Sequence, residues 1–165
     1  MTLREQEDTS VADQLLSAMS SIRRTFRRRA QRPEELSSLT GAQLELVRLV
    51  RRFPGVSVVE AASQLRLAPN TVSTLVGQLC ERGFMSRSQD ASDRRVARLD
   101  LAPDIRRKVD AWRDRRVEHL AVAMRALPPR DQRCLESAAK VLERLTWHLE
   151  SSSEGAEGGS QSSRR

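Results

Sequence analysis

Residues 57–84 read Ser57-Val58-Val59-Glu60-Ala61-Ala62-Ser63-Gln64-Leu65, then Arg66-Leu67-Ala68, then Pro69-Asn70-Thr71-Val72-Ser73-Thr74-Leu75-Val76-Gly77-Gln78-Leu79-Cys80-Glu81-Arg82-Gly83-Phe84. Ser57 followed by Glu60 has the form of a capping box, which starts a short helix carrying Val59, Ala62 and Leu65. A brief turn at Arg66-Leu67-Ala68 leads to Pro69, placed where a helix's first residue tolerates a missing N–H. In the helix that follows, Val72, Leu75, Val76 and Leu79 recur at i, i+3, i+4 and i+7 and so face a core. The opposite face holds Asn70, Ser73, Thr74, Gly77 and Gln78, small, polar and uncharged. Gly83 closes the helix as a C′ glycine does.

After Gly83 the period changes from that of a helix to that of a strand. Phe84 to Ser88 and Val96 to Leu101, the second alternating apolar and polar, flank the polar stretch Gln89 to Arg95 and read as a hairpin. Two short helices across a tight turn, then a hairpin with an arginine-rich tip, make a winged helix-turn-helix. Such a second helix must be narrow to enter a major groove about 12 Å wide. Asn70 and Gln78 can pair with N6 and N7 of adenine, while Ser73 and Thr74 can meet base edges or phosphates. Arg87, Arg94, Arg95 and Arg98 are the wing residues positioned to reach flanking backbone or a minor groove.

Upstream, Thr40-Gly41-Ala42-Gln43 is another capping box, opening a helix that Pro54-Gly55 ends. Before it, Val11, Leu15, Met19, Ile22 and Phe26 form one helical face, followed by the basic run Arg23 to Arg32 and the stop at Pro33. That run complements a helix C-terminus and reads as a solvated face. Downstream, one helix is expected from Pro103 to about Ala126 and another from Pro129 to Leu149, separated by Pro128-Pro129. The expected fold is mainly α with a small β-hairpin wing: a winged helix-turn-helix core over about 40–101, with dimerisation helices over 11–32 and 103–149. Together these make one domain over 11–149. Residues 1–10 and 150–165 contain too little to bury and are expected to be disordered. The stripes of the outer helices are too apolar to leave exposed, and a symmetric homodimer would cover them. Trp112 and Trp147 are expected in that dimer core.

The net charge of +7 is carried almost wholly by arginine, since Lys108 and Lys140 are the only lysines. The guanidinium fork suits phosphate and guanine edges, which favours a nucleic-acid partner. Aromatic residues make up 3% of the chain, too few for base-stacking platforms on single strands. No Ser/His/Asp or Cys/His arrangement, phosphate loop or metal-ligand spacing is present, so neither catalysis nor a cofactor or metal is expected. Cys80 and Cys134 form no pair motif, and Cys80 is expected to be a partly buried, inert thiol. No apolar run could span a membrane, and the first residues have neither the basic start nor the apolar stretch of a signal peptide, so none is expected. The expected setting is the cytoplasm, at the nucleoid through DNA.

Val58 to Leu101 resembles the MarR family of bacterial transcription regulators. The resemblance rests on Glu60-Ala61-Ala62, Leu65, Pro69 to Val76, Leu79 to Phe84, Asp93-Arg94-Arg95 and Leu99-Asp100-Leu101. With the flanking helices it extends over about Val11 to Leu149. It implies a homodimer on a palindromic double-stranded operator, and a repressor released by a small-molecule effector, commonly an aromatic or phenolic anion. The expected DNA contacts are Asn70, Thr71, Ser73, Thr74, Gln78, Arg87, Arg94 and Arg95; the resemblance implies insertion of Arg94 into a minor groove and gives Asp93 the task of holding a wing arginine by an ion pair. The chain departs from the family pattern at Ala68 and Ala102, where Ser or Thr is usual, and has no tyrosine to anchor a phenolic ligand. The alternative reading is a winged helix used only for protein contacts, whose mark would be an acidic or apolar outer helix face and a neutral wing.

Overall fold

A computed structural model of the chain describes residues 2–90, 93 and 95–157, the side chains of Leu3 and of 150–157 excepted. The elements in order are α1 (Leu3–Arg29), α2 (Glu34–Ser37), α3 (Gly41–Arg52), β1 (Val56–Ser57), α4 (Val58–Leu65), α5 (Pro69–Glu81), β2 (Met85–Gln89), β3 (Ala97–Leu101), α6 (Pro103–Arg125) and α7 (Pro129–Glu157). The chain divides into two units, Met1–Val117 and Glu118–Arg165. The mainly helical winged helix-turn-helix is as expected, with a sheet one strand larger than the hairpin.

In the first unit the capping boxes lie where the sequence puts them. Thr40 and Gln43 exchange bonds of 3.3 and 3.1 Å at the start of α3, and Ser57 and Glu60 exchange bonds of 3.2 and 2.7 Å at the start of α4. Arg66 adopts a left-handed conformation (φ 52°), so its N–H reaches Ala62 and Ser63 and the chain turns at once into α5. Ala68 caps α5 without a side-chain bond, and Pro69 takes the first turn. Gly83 (φ 71°) then releases the chain into β2.

The sheet is antiparallel in the order β1-β3-β2, with Val56 opposite Leu99 and Arg87 on the other side of Leu99. Leu46, Val47 and Val50 of α3, Val72, Val76 and Leu79 of α5, and Leu99 of β3 are all 0% exposed. They meet in one core with Ile105, Val109 and Trp112 of α6. The Trp112 indole N–H donates to the Ala30 carbonyl at 3.1 Å, so this ring fills its own unit's core and is not the dimer-core residue expected.

Three boundaries differ from expectation. Residues 3–10, expected to be disordered, are helical: α1 starts at Leu3, because Thr2 and Glu5 form a third capping box with bonds of 3.3 and 2.6 Å. The short α2 and β1 carry too few residues to show a period. In the second unit, α7 runs past the expected end at Leu149 to Glu157, while 158–165 lie outside the described residues. Once a helix is nucleated, each further residue adds a hydrogen bond, and no proline stops the serine run. None of the described α7 side chains is buried, and Leu142, Leu145, Trp147 and Leu149 are exposed.

The Glu60 carboxyl is held below the usual carboxylate range, first by the Ser57 backbone N–H, then by the Ser57 side chain and the Arg98 charge. Glu35 is held low chiefly by its hydrogen bond with Lys108, 2.5 Å away. A depressed folded pKa gives stability that is complete above the ordinary value of about 4.3 and is lost as pH falls through the folded value. Glu60→Ala is therefore expected to be less stable than wild type at neutral pH. The difference should close as pH falls below about 4, as read by urea denaturation across a pH series.

Candidate nucleic-acid interface

Helix α5 is half inside and half outside. Val72, Val76 and Leu79 anchor it, and Asn70, Thr71, Ser73, Thr74 and Gln78 are all exposed. The Thr74 hydroxyl donates to the Asn70 carbonyl at 3.0 Å, which leaves its oxygen available as an acceptor. Gly77 is half-buried, unlike its expected open position, because Arg87 reaches across from β2. The Arg87 Nη2 donates to the Ser73 carbonyl at 3.2 Å and lies 3.9 Å from where a Gly77 side chain would begin. The structure thus brings an arginine of the wing onto the polar face of α5.

Gln78 is exposed but not unattached. Its side-chain oxygen accepts a 2.9 Å bond from the Nε2 of Gln43, which is buried beneath it in α3. In the sequence Gln43 has the signal of a capping residue alone. Its partner lies 35 residues on, and no local pattern connects the two.

The wing is organised by a different acid from the one expected. Among the described residues Asp93 holds no arginine by an ion pair; its carboxylate accepts the Arg95 backbone N–H at 2.9 Å, and its own N–H donates to Asp90 at 3.1 Å. A short acid two residues before a free N–H closes this local turn more readily than it reaches a guanidinium. The arginine pair belongs to Asp90, which meets Arg98 Nε at 2.7 Å. Arg98 Nη1 also contacts the Gly55 carbonyl and Glu60, each at 3.3 Å. Arg98 is therefore a clamp joining the wing to the start of α4 and not an outward wing arginine. Asp90 raises its pKa further. Arg95 is exposed, and Arg94 lies outside the described residues.

A second feature of the same unit is a cleft of about 630 Å³. Arg23, Arg27, Arg32, Arg48 and Arg116 line it together with Trp112 and Phe26, and Glu45 is its one carboxylate. The guanidiniums of Arg32, Arg48 and Arg116 stand 5.9, 5.2 and 5.2 Å from the centre of the Trp112 indole, and Arg116 is also 5.0 Å from that of Phe26. Burial, then repulsion from Arg116 and Arg32, lowers the Arg48 pKa. The volume is that of a small-molecule site. Cys80 is half-buried and Cys134 is exposed. Among the described residues, no helix is long and apolar enough to cross a membrane.

The MarR family profile matches residues 39–97, the span from the end of α2 into β3. A putative transcriptional regulator from Pseudomonas aeruginosa is similar at 27% identity and a TM-score of 0.64, over 85% of this chain and 96% of that one. A MarR family protein from Bacillus stearothermophilus superposes with a TM-score of 0.69 at 18% identity, over 88% and 99%. Streptococcus pneumoniae FabT, solved in complex with DNA, superposes with a TM-score of 0.62 at 16% identity, over 90% and 96%. No curated protein matches the chain. The matched span, the anchored polar helix and the clamped arginine wing agree with one another: residues 39–97 form a winged-helix domain of the MarR type.

Proposed function

We propose that the chain acts in the cytoplasm as a homodimeric repressor of a palindromic double-stranded DNA operator, released by a small anionic effector. The observation that carries this reading is the outer face of α5, with Asn70, Thr71, Ser73, Thr74 and Gln78 exposed around the Arg87 guanidinium. Polar uncharged side chains can read base edges without repelling phosphate. Arg87 supplies positive charge on that face, and Arg94 and Arg95 are the further wing arginines assigned to phosphate. The rival reading, a winged helix used for protein contacts, is disfavoured by the same face, which is neither acidic nor apolar.

Dimerisation is supported by helix faces left uncovered in a single chain. On α1, Val11, Leu16, Met19 and Ile22 are between 52% and 64% exposed, and on α7 Leu149 is 66% exposed. Two helices of roughly 40 Å each with open apolar stripes need a partner, and a second copy supplies the same surfaces by symmetry. Two copies would present two α5 helices to two half-sites, as a palindrome demands.

Effector release is supported by the arginine-lined cleft. The chain lacks tyrosine, but Arg32, Arg48 and Arg116, gathered within 5.9 Å of the centre of the Trp112 ring, offer an aromatic carboxylate a cluster of charge beside an aromatic residue. An anion there would offset the mutual repulsion of Arg48, Arg116 and Arg32.

Light scattering at micromolar concentration is expected to give a dimer mass, and deletion of residues 1–32 to abolish both dimer and operator binding; a monomer with intact binding would refute the assembly. Arg95→Ala, and equally Arg94→Ala, is expected to weaken specific and non-specific DNA binding together. Each should flatten the slope of log affinity against log salt by about two for the dimer, one contact per half-site. An unchanged slope would remove the wing from the interface. In a gel-shift titration, benzoate-class carboxylates are expected to release DNA from wild type. Arg116→Ala should need about tenfold more ligand, the loss of one charge-assisted contact. Equal sensitivity of the two proteins would sink the cleft as the effector site.

A further inference from the structure

Resting on the proposal that α5 reads base edges, we infer that Gln43 is a positioning residue that turns the Gln78 amide so that it offers its NH2, not its oxygen, to the major groove. The orientation follows from a chain of three groups. The Thr40 backbone N–H can only donate, so the Gln43 atom that faces it at 3.1 Å is the oxygen Oε1. The Gln43 nitrogen Nε2 therefore points away from the cap, and it donates to Gln78 Oε1 at 2.9 Å. That donor can only be received by an oxygen, so the Gln78 amide is set as well. Gln43 is 7% exposed, and water has little access to compete for these bonds. The direction of the Gln78 amide is thus inherited from a main-chain N–H at the start of α3.

An untethered glutamine turns either way and pairs its oxygen and nitrogen with adenine. With its oxygen held from below, Gln78 presents N–H donors. Guanine takes both, at N7 and O6, and thymine takes one at O4. Cytosine meets a donor with a donor through its N4–H2, and adenine accepts at N7 while its N6–H2 opposes the second hydrogen. Gln78 therefore selects guanine or thymine on the strand it faces, and the adenine pairing that its residue type alone suggests does not apply.

The relay can be reversed by one atom. Gln43→Glu keeps the cap, because a carboxylate at this position accepts the Thr40 N–H as well as an amide does and suits a helix N-terminus. It cannot donate to Gln78. It instead accepts from the Gln78 NH2, which turns the Gln78 oxygen outward. Selection of bound fragments from randomised duplexes, with wild type, Gln43→Glu and Gln78→Ala, tests this. Wild type is expected to prefer guanine or thymine at one symmetric pair of positions, and Gln78→Ala to lose preference there and nowhere else. Gln43→Glu, with an unchanged melting temperature, is expected to switch those positions to cytosine or adenine by about fivefold to a hundredfold. If Gln43→Glu does not fold, Gln43→Met, which keeps the bulk and removes both bonds, is expected to blur the preference at the same positions. The relay is overturned if the folded Gln43 variant selects the wild-type base there, or if Gln78→Ala changes nothing. If wild type selects no motif at all, it is the DNA-reading proposal that has failed, a result distinct from either of these.

Discussion

What α5 offers to solvent is decided by what it buries. Val72, Val76 and Leu79 are completely enclosed, and burying each such side chain is worth about 1.5–3 kcal/mol. Rotating the helix by one residue would expose that stripe and submerge Asn70 or Ser73, so the polar face has one permitted direction. The stripe in turn needs α3 behind it and β3 beside it, which is why Leu46, Val47, Val50 and Leu99 are equally enclosed. The left-handed Arg66 and the Pro69 start then set where along its axis the helix begins. The outward chemistry follows from an inward constraint.

The same economy divides the arginines. Arg98 is consumed as a three-way clamp on Asp90, Glu60 and the Gly55 carbonyl. Arg82 ties the end of α5 to Ser38 at 2.5 Å and lies over Phe84, and Arg51 pairs with Asp110 at 2.5 Å. Others stack on the scarce aromatic rings: Phe26, Phe53, Phe84 and Trp112 each carry at least one guanidinium. A planar, weakly hydrated cation can cover a ring where a lysine would stay in water. The net charge of +7 therefore overstates the charge free to meet phosphate, and tethered arginines must be separated from open ones before any is assigned to DNA.

Local grammar made the winged helix legible. Thr40 with Gln43, Ser57 with Glu60, Pro69 and Gly83 each carry their signal within four residues, and the structure honours all of them. Thr2 with Glu5 carried the same signal, but the polar composition around it pointed to a frayed end. What stayed hidden was non-local. Nothing near Gln43 announces Gln78, nothing near Ala30 announces Trp112, 82 residues on, and the clamp on Arg98 joins groups from three separate segments. The resemblance gives Asp93 an ion pair with a wing arginine, whereas among the described residues its carboxylate accepts a main-chain N–H.

Helix α3 is where the separate parts of the proposal meet. It gives Gly41, Leu44, Glu45 and Arg48 to the arginine-lined cleft, and between them Gln43 to the amide of Gln78. An occupant of the cleft and a base in the groove would thus act on one short helix from two sides. A ligand shifts such an equilibrium only by the difference in its affinity for the two arrangements, and a hundredfold loss of operator affinity needs about 2.7 kcal/mol. A charge-assisted contact to an arginine supplies about 1.5–3 kcal/mol where it is shielded from water, and less at a partly exposed guanidinium such as Arg48, if it forms in one arrangement and not the other. An occupant that displaced the α3 backbone itself would strain the 2.9 Å bond on which the direction of the Gln78 amide depends. A mechanism of this kind does not require the wing or the core to move. It requires only that α3 cannot satisfy its cleft and its glutamine at the same time.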